Sequence, residues 1–370
     1  MKRKIIFLTG SLGGGGAERV LIDILRNIDY SCYEVDLALI IAEGVLLSEV
    51  PEPVHIIPLW SSYTLGYKIA YRISKYLRCN LLFKRMLRQK LTKKYDVEVS
   101  FLEGMPLKLH AMMDTSARKI TWVHCDLDKS RYEAAQFFKG EEIAAYNKMN
   151  EIVVVSQDAM TAFNRRFPDC RTTKRVIYNP IDKGKIVRMS SEKQEHNDKF
   201  MIVTVGRLAP QKSMDRVVRL ARRFKDENID AWFRIIGEGE LRQTLSEQIV
   251  SLDVQDRVEL CGFMSNPFPI VKSADIMLVS SFSEGFCLVV CEAMCLGVPI
   301  VSTKTSGPCE LIGNDEFGIL CDHDDESIYQ AVKRMVEDKE LRNHYRKQSL
   351  KKAEGFDLEA VMWQIYKLIG

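Results

Sequence analysis

Short apolar runs recur along the whole chain, and amphipathic or polar stretches of helical length separate them. Bounded apolar runs of this kind favour buried strands. In the first half the predicted strands are 4–9, 34–41, 54–59, 96–102, 119–123, 151–155 and 175–178. In the second half they are 199–205, 232–236, 258–260, 275–279, 299–302 and 318–320, with helices predicted at 288–296 and 357–369. This alternation is typical of parallel sheets covered by helices on both faces.

The pattern divides the chain into two halves. After Pro180 the chain turns polar through 190–198 before the alternation restarts, which we interpret as the passage between two domains. A chain of 370 residues is long for one hydrophobic core. We therefore predict an α/β protein with two doubly wound domains, 1–180 and 181–355, followed by a helical segment at 356–370.

Composition narrows the class of protein. Apolar residues make up 46% of the chain and charged residues 28%, which is ordinary for a soluble protein. No apolar run approaches the roughly 18 residues of a membrane-spanning helix. The basic start and the short apolar run after it imitate a signal peptide but lack its length and cleavage site, so we predict a first strand there. Ten cysteines without paired short spacings favour a reducing compartment.

Three of the cysteines share one helical face. Cys287, Cys291 and Cys295 recur every four residues. A metal or redox site would need ligands from elsewhere, and the sequence has no Cys-x-x-Cys. We therefore expect this face to pack against the sheet, and no bound metal.

Glu284 and Glu292 bracket a loop that joins the predicted strand 275–279 to the predicted helix 288–296. Such a loop presents backbone N–H groups and a partial positive charge, and both suit a phosphate. Glu292, inside the helix, is then placed to accept hydrogen bonds from a ribose, and Glu284 to address the group that the phosphate carries. The alternative is a solvated helix entrance with two surface carboxylates.

Four short motifs around these carboxylates carry a family resemblance. They are Ser-Phe-Ser-Glu-Gly-Phe at 281–286, Glu-Ala-Met at 292–294, Gly-Val-Pro at 297–299 and Gly-Pro-Cys-Glu at 307–310. Together they resemble the signature of family-4 retaining glycosyltransferases of the GT-B fold. The resemblance implies two Rossmann-like domains that face a central cleft, with the acceptor in the first and the nucleotide sugar in the second. It also implies that the terminal helix crosses back onto the first domain.

The resemblance assigns roles to this loop. Glu284 contacts hydroxyls of the donor sugar, and Glu292 holds the ribose. The loop residues hold the distal phosphate and the sugar; they are Gly285, Phe286, Cys287 and Leu288.

Arg207 and Lys212 follow the first predicted strand of the second domain, where ligands of open parallel sheets bind. A guanidinium can grip two phosphate oxygens while an ammonium supplies a compact charge, so the pair suits a diphosphate. Matching residues in the family do this. The family usually has Gly after the Lys, whereas this chain has Ser213, for which we predict a helix N-cap. The alternative is a basic surface turn.

Two further glycine turns are weaker signals. Gly237 and Phe263 match positions that border the nucleobase in the family, although Gly-Glu-Gly at 237–239 alone indicates only a tight turn. The four glycines at 13–16 let the backbone approach a ligand closely. This loop resembles the family's flexible loop facing the donor, so Gly15 and Gly16 are donor-binding candidates. Its spacing is not that of a dinucleotide-binding loop, which disfavours an oxidoreductase; a solvent-exposed turn is the alternative.

His124 ends the predicted strand 119–123. The matching histidine of the family lies beside the donor sugar, so we place His124 with Arg207, Lys212 and Glu284 among the catalytic residues. A structural histidine is the alternative, and the sequence does not decide between an orienting and a proton-transferring role.

The stretch 54–95 contains no acidic residue, and ten basic residues lie between Lys68 and Lys94. Apolar residues interleave with them at helical spacing. Such a basic amphipathic segment can bind an anionic membrane surface. A helix packed on the domain with a solvated basic side is the alternative. A net charge of only +3 and the lack of a nucleic-acid motif disfavour a nucleic-acid partner.

From the residues and the resemblance we expect a retaining, metal-independent glycosyltransferase without a cofactor. The expected co-substrate is a nucleotide sugar linked to UDP, which donates a hexose or N-acetylhexosamine to a glycan or lipid-linked acceptor. We expect a cytoplasmic location, either free or peripheral on the inner face of the plasma membrane. The alternatives are a sugar-nucleotide epimerase or phosphorylase on the same scaffold, or a non-catalytic binding partner.

Overall fold

The computed structural model describes residues 2–129, 136–192 and 199–370. The chain forms two compact units. The first contains Met1–Pro180 and Glu359–Gly370, and the second contains Ile181–Leu358. The polar stretch after residue 189 therefore lies within the second unit, and its residues 193–198 lie outside the described ranges.

The first unit is built around one parallel sheet. Its strands are β1 (Arg3–Thr9), β2 (Tyr33–Ile41), β3 (His55–Trp60), β4 (Val97–Ser100), β5 (Arg118–Val123), β6 (Glu151–Val154) and β7 (Thr173–Val176). Its helices before Pro180 are α1 (Gly16–Arg26), α2 (Leu65–Leu77), α3 (Leu81–Lys90), α4 (Met105–His110), α5 (Glu141–Tyr146) and α6 (Gln157–Arg166), with a short 3-10 helix at Leu47–Glu49. The strand order is β3-β2-β1-β4-β5-β6-β7. The central strands are largely buried, and β4 buries the polar side chains of Glu98 and Ser100 among apolar ones.

The second unit repeats this architecture. Its helices are α7 (Lys183–Met189), α8 (Asp215–Asp226), α9 (Arg242–Ser251), α10 (Phe268–Ser273), α11 (Leu288–Cys295), α12 (Ser306–Ile312), α13 (Asp325–Glu337) and α14 (Lys339–Ala353), with a 3-10 helix at Pro210–Lys212. Its strands are β8 (Met201–Val205), β9 (Trp232–Ile236), β10 (Val258–Gly262), β11 (Ile276–Val279), β12 (Ile300–Thr303) and β13 (Ile319–Cys321), in the parallel order β10-β9-β8-β11-β12-β13.

The last helix, α15 (Leu358–Ile369), packs on the first unit. The Tyr366 hydroxyl donates to the Asn27 carbonyl at 2.6 Å and accepts from the Asp29 N–H at 3.0 Å. Its ring stacks on Tyr33 with centroids 5.7 Å apart. These contacts tie the end of the chain to the segment between α1 and β2.

The predicted basic amphipathic segment at 68–94 is divided between two helices. Arg78 ends α2 in a left-handed conformation with φ of 54°, and α3 begins three residues later. The turn exposes large apolar side chains at the end of α2 and the start of α3. No helix in the described part of the chain is long and apolar enough to span a bilayer.

Each sheet contains a position where the strand order reverses direction. In the first sheet this switch lies between β1 and β4, and in the second between β8 and β11. Ligands of open α/β sheets bind outside the carboxyl ends of the strands at such positions, because the loops there diverge to opposite faces. Candidate sites therefore lie in the segments after β8 and β11 and in those after β1 and β4.

Candidate functional site

The switch point of the second sheet brings Lys212 and Glu284 together, although 72 residues separate them. Lys212 lies in the 3-10 helix after β8, and Glu284 in the loop after β11. The Lys212 ammonium donates to Glu284 Oε1 at 2.7 Å, and the Ser281 hydroxyl donates to the same oxygen at 2.5 Å. Glu284 Oε2 makes no hydrogen bond with a residue that the structure describes, so it remains available as an acceptor.

The electrostatics of this pair keep Lys212 charged. Burial alone would lower the pKa of Lys212, but the adjacent Glu284 carboxylate more than offsets this effect, so the pKa lies above its usual value. An ammonium has three donors, and Glu284 uses one of them. Lys212 can therefore hold Glu284 and an anionic ligand at the same time.

Backbone contacts fix both halves of the pair. The Gln211 side-chain amide donates to the Ser283 carbonyl at 2.7 Å, and the Phe282 N–H donates to the Gln211 carbonyl at 2.8 Å. The Ser280 hydroxyl donates to the Lys212 carbonyl at 3.0 Å. The 3-10 helix and the loop after β11 thus form one rigid piece, and the site is preorganised.

Ser213 does not have the predicted helix N-cap role. It ends the 3-10 helix in a left-handed conformation with φ of 49°, and Met214 is the N-cap of α8. The Ser213 hydroxyl instead lies 3.3 Å from the Pro210 carbonyl, to which it donates. A left-handed position favours glycine, so Ser213 adopts a backbone conformation that a serine rarely takes.

Arg207 lies on the surface beside Lys212. Its guanidinium forms no ion pair or hydrogen bond with any residue in the described ranges, and its charge opposes the protonation of Lys212. Two cations therefore meet at the carboxyl end of β8. An anion bound there would be stabilised by both.

Glycines let the segments after β8, β9 and β10 meet backbone to backbone. A Cβ on Gly237, whose φ is +144°, would lie 1.9 Å from the Gly206 carbonyl oxygen, and a Cβ on Gly239 would lie 2.4 Å from the Leu208 carbonyl oxygen. The Gly237 N–H donates to the Gly262 carbonyl at 2.8 Å. Gly237 is thereby placed next to the residue that precedes Phe263, whose ring is 40% exposed.

The loop from Glu284 into α11 is compact. Cys287 is the N-cap of α11 and has a φ of 69°, which turns the chain sharply so that the helix begins at Leu288. A Cβ on Gly307 would lie 2.2 Å from the Phe286 carbonyl oxygen, so α12 packs tightly on this loop. Gly285 and Phe286 are buried, and Glu292 lies half-buried in the second turn of α11. The two carboxylates thus flank one helix N-terminus, as the spacing predicted.

The cysteines on α11 are neutral thiols. Burial raises the pKa of Cys287 and Cys291 well above the usual value, with the Glu284 carboxylate as the next cause for Cys287 and the neighbouring thiols for Cys291. Burial raises the pKa of Cys295 to about 12. In the described ranges no three His, Cys, Asp or Glu side chains group as metal ligands do. The three side chains pack in the core of the second unit.

In the first unit, the glycine loop after β1 is ordered by its neighbours. Leu12 exchanges backbone hydrogen bonds with the loop after β2, donating to Glu43 and accepting from Leu46, both at 3.0 Å. Glu18 Oε2 accepts the N–H groups of Gly14 at 2.7 Å and Gly15 at 3.0 Å. Gly15 is the N-cap of α1 and Gly16 its first residue. The glycine loop is therefore held by specific hydrogen bonds and is not a loose turn.

His124 follows β5, two strands from the glycine loop. Its ring packs against Phe101 with centroids 4.7 Å apart, and its backbone N–H donates to Glu103 Oε2 at 2.9 Å. Burial lowers the pKa of His124 to about 3. The imidazole is therefore neutral at neutral pH, which disfavours a role as a proton donor in its charged form.

Sequence reasoning missed Glu103 and the Lys212–Glu284 pair. Glu103 had a usable signal, because it is an acidic residue directly after a predicted buried strand and before a glycine. The Lys212–Glu284 pair had no such signal, because no local sequence pattern joins residues so far apart. Of the predicted site residues, Gly15, Gly16 and His124 lie in the first unit. The others lie in the second unit: Arg207, Lys212, Gly237, Phe263, Glu284, Gly285, Phe286, Cys287, Leu288 and Glu292.

Comparison with known proteins gives a consistent result. The profile of the family described as "Glycosyl transferases group 1" matches residues 188–352. A Campylobacter jejuni enzyme, N-acetylgalactosamine-N,N'-diacetylbacillosaminyl-diphospho-undecaprenol 4-alpha-N-acetylgalactosaminyltransferase, is 29% identical over 357 residues, which cover 94% of each chain.

Solved structures share the whole architecture. The Anabaena protein HepE in complex with UDP superposes with a TM-score of 0.76 at 20% identity, over 100% of this chain and 99% of that one. Sucrose-phosphate synthase from Thermosynechococcus elongatus has a TM-score of 0.78 at 16% identity, over 99% and 98% of the two chains. Both units are thus the Rossmann-like domains of the GT-B fold, and residues 188–352 match the profile of the Glycosyl transferases group 1 family.

Proposed function

We propose that this protein is a family-4 retaining glycosyltransferase that transfers a hexose or N-acetylhexosamine from a UDP-sugar to a glycan or lipid-linked acceptor. The observation that carries the proposal is the Lys212–Glu284 pair at the switch point of the second sheet, with the exposed Arg207 beside it. Its two cations and one carboxylate acceptor match the charges and hydroxyls of a sugar diphosphate, which supports the proposal.

Arg207 and Lys212 hold the diphosphate. Lys212 stays protonated because of Glu284, and the exposed guanidinium can grip two phosphate oxygens. Both charges also stabilise the nucleoside diphosphate as it leaves, which lowers the barrier to transfer. We propose that these cations serve in place of a metal ion.

Glu284 binds hydroxyls of the donor sugar through Oε2, since Lys212 and Ser281 occupy Oε1. The N-terminus of α11, from Gly285 to Leu288, binds the distal phosphate through its backbone N–H groups. Glu292 accepts from the ribose hydroxyls. Gly237 and Phe263, which the contact between Gly237 and Gly262 brings side by side, border the base.

In the first unit we assign Gly15, Gly16 and His124 to the sugar end of the substrate. The neutral imidazole orients a hydroxyl by hydrogen bonding, since its lowered pKa makes it a weak base that is unprotonated at neutral pH. For retention of configuration, the departing phosphate is the base that accepts the acceptor's proton on the same face of the sugar.

A screen of nucleotide sugars tests the donor site. UDP-sugars should raise the melting temperature of the protein and release UDP when an acceptor is added, and Arg207→Ala should weaken both signals. Failure of every UDP-sugar to bind would contradict the donor assignment. Turnover without an acceptor would favour the epimerase or phosphorylase, and UDP-sugar binding without any turnover would favour a non-catalytic partner.

The acceptor proposal rests on the first unit and on the Campylobacter relative, whose name specifies a diphospho-undecaprenol substrate. The α2–α3 turn exposes three large apolar side chains, Tyr76 at 73%, Leu77 at 72% and Leu81 at 70%. Exposed basic side chains follow on α3, including Lys84, Arg85 and Arg88. Exposed apolar and basic side chains on neighbouring helical turns suit an anionic lipid surface, so we propose that this turn docks the protein on the inner face of the cytoplasmic membrane.

Lys93 is excluded from this surface. Its ammonium is held by Glu34 at 2.6 Å and by the buried Asp36 at 3.1 Å. It stabilises the amino end of β2 instead.

Vesicle sedimentation tests the docking. Changing Lys84, Arg85 and Arg88 to Gln should weaken binding to phosphatidylglycerol vesicles by about 1 kcal/mol per charge, and salt should weaken wild-type binding likewise. The matched control changes three exposed lysines of α14, Lys339, Lys347 and Lys351, to Gln. Equal binding by both variants, or no binding by wild type, would remove the membrane from the proposal and leave the donor site intact.

A further inference from the structure

Glu103 is a buried carboxylate at the switch point of the first sheet. It follows β4, the strand across the switch from β1, and its side chain is only 6% exposed. Gly104, with φ of +76°, then turns the chain into α4. Glu103 therefore occupies, in the first unit, the place that Glu284 has after β11 in the second.

The loop after β4 makes two separate contacts with His124. Glu103 Oε2 accepts the His124 backbone N–H at 2.9 Å. Phe101, two residues earlier, packs its ring on the imidazole at 4.7 Å with an interplanar angle of 48°. The first contact fixes where the backbone leaves β5, and the second fixes the plane of the ring.

The loop after His124 is anchored as well. Arg166 donates to the Leu127 carbonyl at 3.0 Å and is itself held by Glu142 at 3.0 Å. Asp126 Oδ1 accepts the N–H of Asp128 at 3.0 Å. With both ends of this segment fixed, His124 has little freedom to change direction.

These contacts leave one ring nitrogen of His124 without a hydrogen-bond partner among the described residues. This atom, Nε2, is shielded from solvent. A buried polar atom without a partner is costly. A side chain held in place from two directions, with a vacant hydrogen-bonding atom, is suited to a ligand that supplies the missing partner.

We infer that Glu103 is a positioning residue, which holds the end of β5 so that His124 Nε2 is presented to the substrate. The inference rests on the proposed function, because it needs His124 to contact the substrate. It adds a residue that acts only through His124: the carboxylate binds the backbone, and the imidazole makes the contact.

Epistasis between the two residues tests the inference. We compare Glu103→Ala, Glu103→Gln, His124→Ala and the double alanine variant, with release of UDP from UDP-N-acetylgalactosamine as the first readout and UDP affinity as the second. Glu103→Ala should lower kcat by about tenfold to a hundredfold, since misplacement of a substrate-contacting group by about 1 Å can cost that much. UDP affinity should not change, because its proposed site lies in the second unit.

Two results distinguish positioning from simple stabilisation. Glu103→Ala should add almost nothing in the His124→Ala background, and Glu103→Gln, which keeps an acceptor oxygen, should retain most of the activity. The matched control is Glu151→Ala, which removes a carboxylate that is equally buried but lies at the amino end of β6 and is bonded by Arg118. It should destabilise the first unit and leave kcat unchanged.

Hydrogen exchange gives a readout that does not need turnover. The His124 amide should exchange faster in Glu103→Ala than in wild type and remain protected in Glu103→Gln. If the alanine variant fails to fold, Glu103→Asp, which shortens the side chain by one methylene, takes its place in the same comparison.

Other outcomes overturn the inference. Additive losses in the double variant, or an unchanged kcat for Glu103→Ala, would show that Glu103 does not act through His124. Full activity of His124→Ala would leave Glu103 nothing to position, although UDP binding in the second unit would stand. An unchanged exchange rate of the His124 amide would exclude the contact itself. A wild type that turns over no sugar nucleotide would count against the proposed function, and the exchange result would then decide on Glu103 alone.

Discussion

Both sheets place a carboxylate after the strand across the switch point, Glu103 after β4 and Glu284 after β11, but the two have different hydrogen-bond partners. Glu284 has a cation from the opposite side of the switch, Lys212 at 2.7 Å. Glu103 accepts a backbone N–H from His124 at 2.9 Å, and the imidazole of His124 is neutral. An ion pair therefore organises the carboxyl edge of the second sheet. At the first sheet, a hydrogen bond to the backbone fixes the direction in which the chain leaves β5. The same architecture thus carries a charged pair in one unit and an oriented, neutral histidine in the other.

The largest expected effect comes from separating the charged pair. Lys212→Met leaves the buried Glu284 carboxylate without its cation, which should lower the free energy of unfolding by about 3 kcal/mol. Lys212→Met with Glu284→Gln should recover most of that stability but not UDP affinity, because the cation is still missing. Chemical denaturation and calorimetry measure the two quantities. Equal stability of the single and double variants would mean that Lys212 and Glu284 are not coupled. The two sheets would then not differ in how their carboxylates are held.

The effect of removing Arg207 on ligand affinity should depend on how many phosphates the ligand carries. Arg207→Ala should weaken UDP binding by up to about 3 kcal/mol, UMP less and uridine hardly at all, because the exposed guanidinium has only the ligand's phosphates to bind. Calorimetry with the three ligands gives the series. Equal losses for all three would contradict the diphosphate assignment.

Glu292→Ala, in contrast, should weaken the binding of all three ligands alike. It removes a ribose contact that UDP, UMP and uridine share, so all three should lose a similar amount, about 1.5 to 3 kcal/mol for a hydrogen bond to a charged group. Unchanged affinity for UDP would exclude the ribose role. Together with Arg207→Ala, this variant locates the ligand along the second edge.

The last expected effect concerns the acid stability of the first unit. The pKa of His124 is about 3 in the folded protein and near 6.5 when unfolded, so below pH 6.5 the unfolded chain takes up a proton that the folded one does not. Between pH 7 and pH 5 this should cost roughly 2 kcal/mol of stability. His124→Gln should have a flatter pH dependence over that range. An identical slope in both proteins would mean that His124 is not held neutral by burial.

Most strands were predictable because they lie inside a parallel sheet, where burial favours a run of apolar residues. Strand 232–236, for example, is found as β9 with the predicted bounds. The Glu284–Glu292 loop was predictable for a related reason, since its motif is contiguous in sequence. The Lys212–Glu284 pair depends on the order of strands in the sheet, which no local pattern specifies.

Backbone conformation caused the remaining differences. The helical periodicity of 68–94 gave no sign of the left-handed Arg78 that separates α2 from α3. Ser213 is a good N-cap residue by type, yet the turn after the 3-10 helix requires a positive φ at that position. In both cases tertiary packing selected a conformation that the residue's own preference does not.

The contacts of α15 bear on how the protein is made. The first unit includes Glu359–Gly370, but the whole of Ile181–Leu358 is synthesised in between. At roughly 5 to 20 residues per second, a ribosome needs about ten seconds or more for that insertion. During that time Tyr33 and the Asn27 carbonyl wait without Tyr366, so the first unit to emerge from the ribosome is the last to be completed.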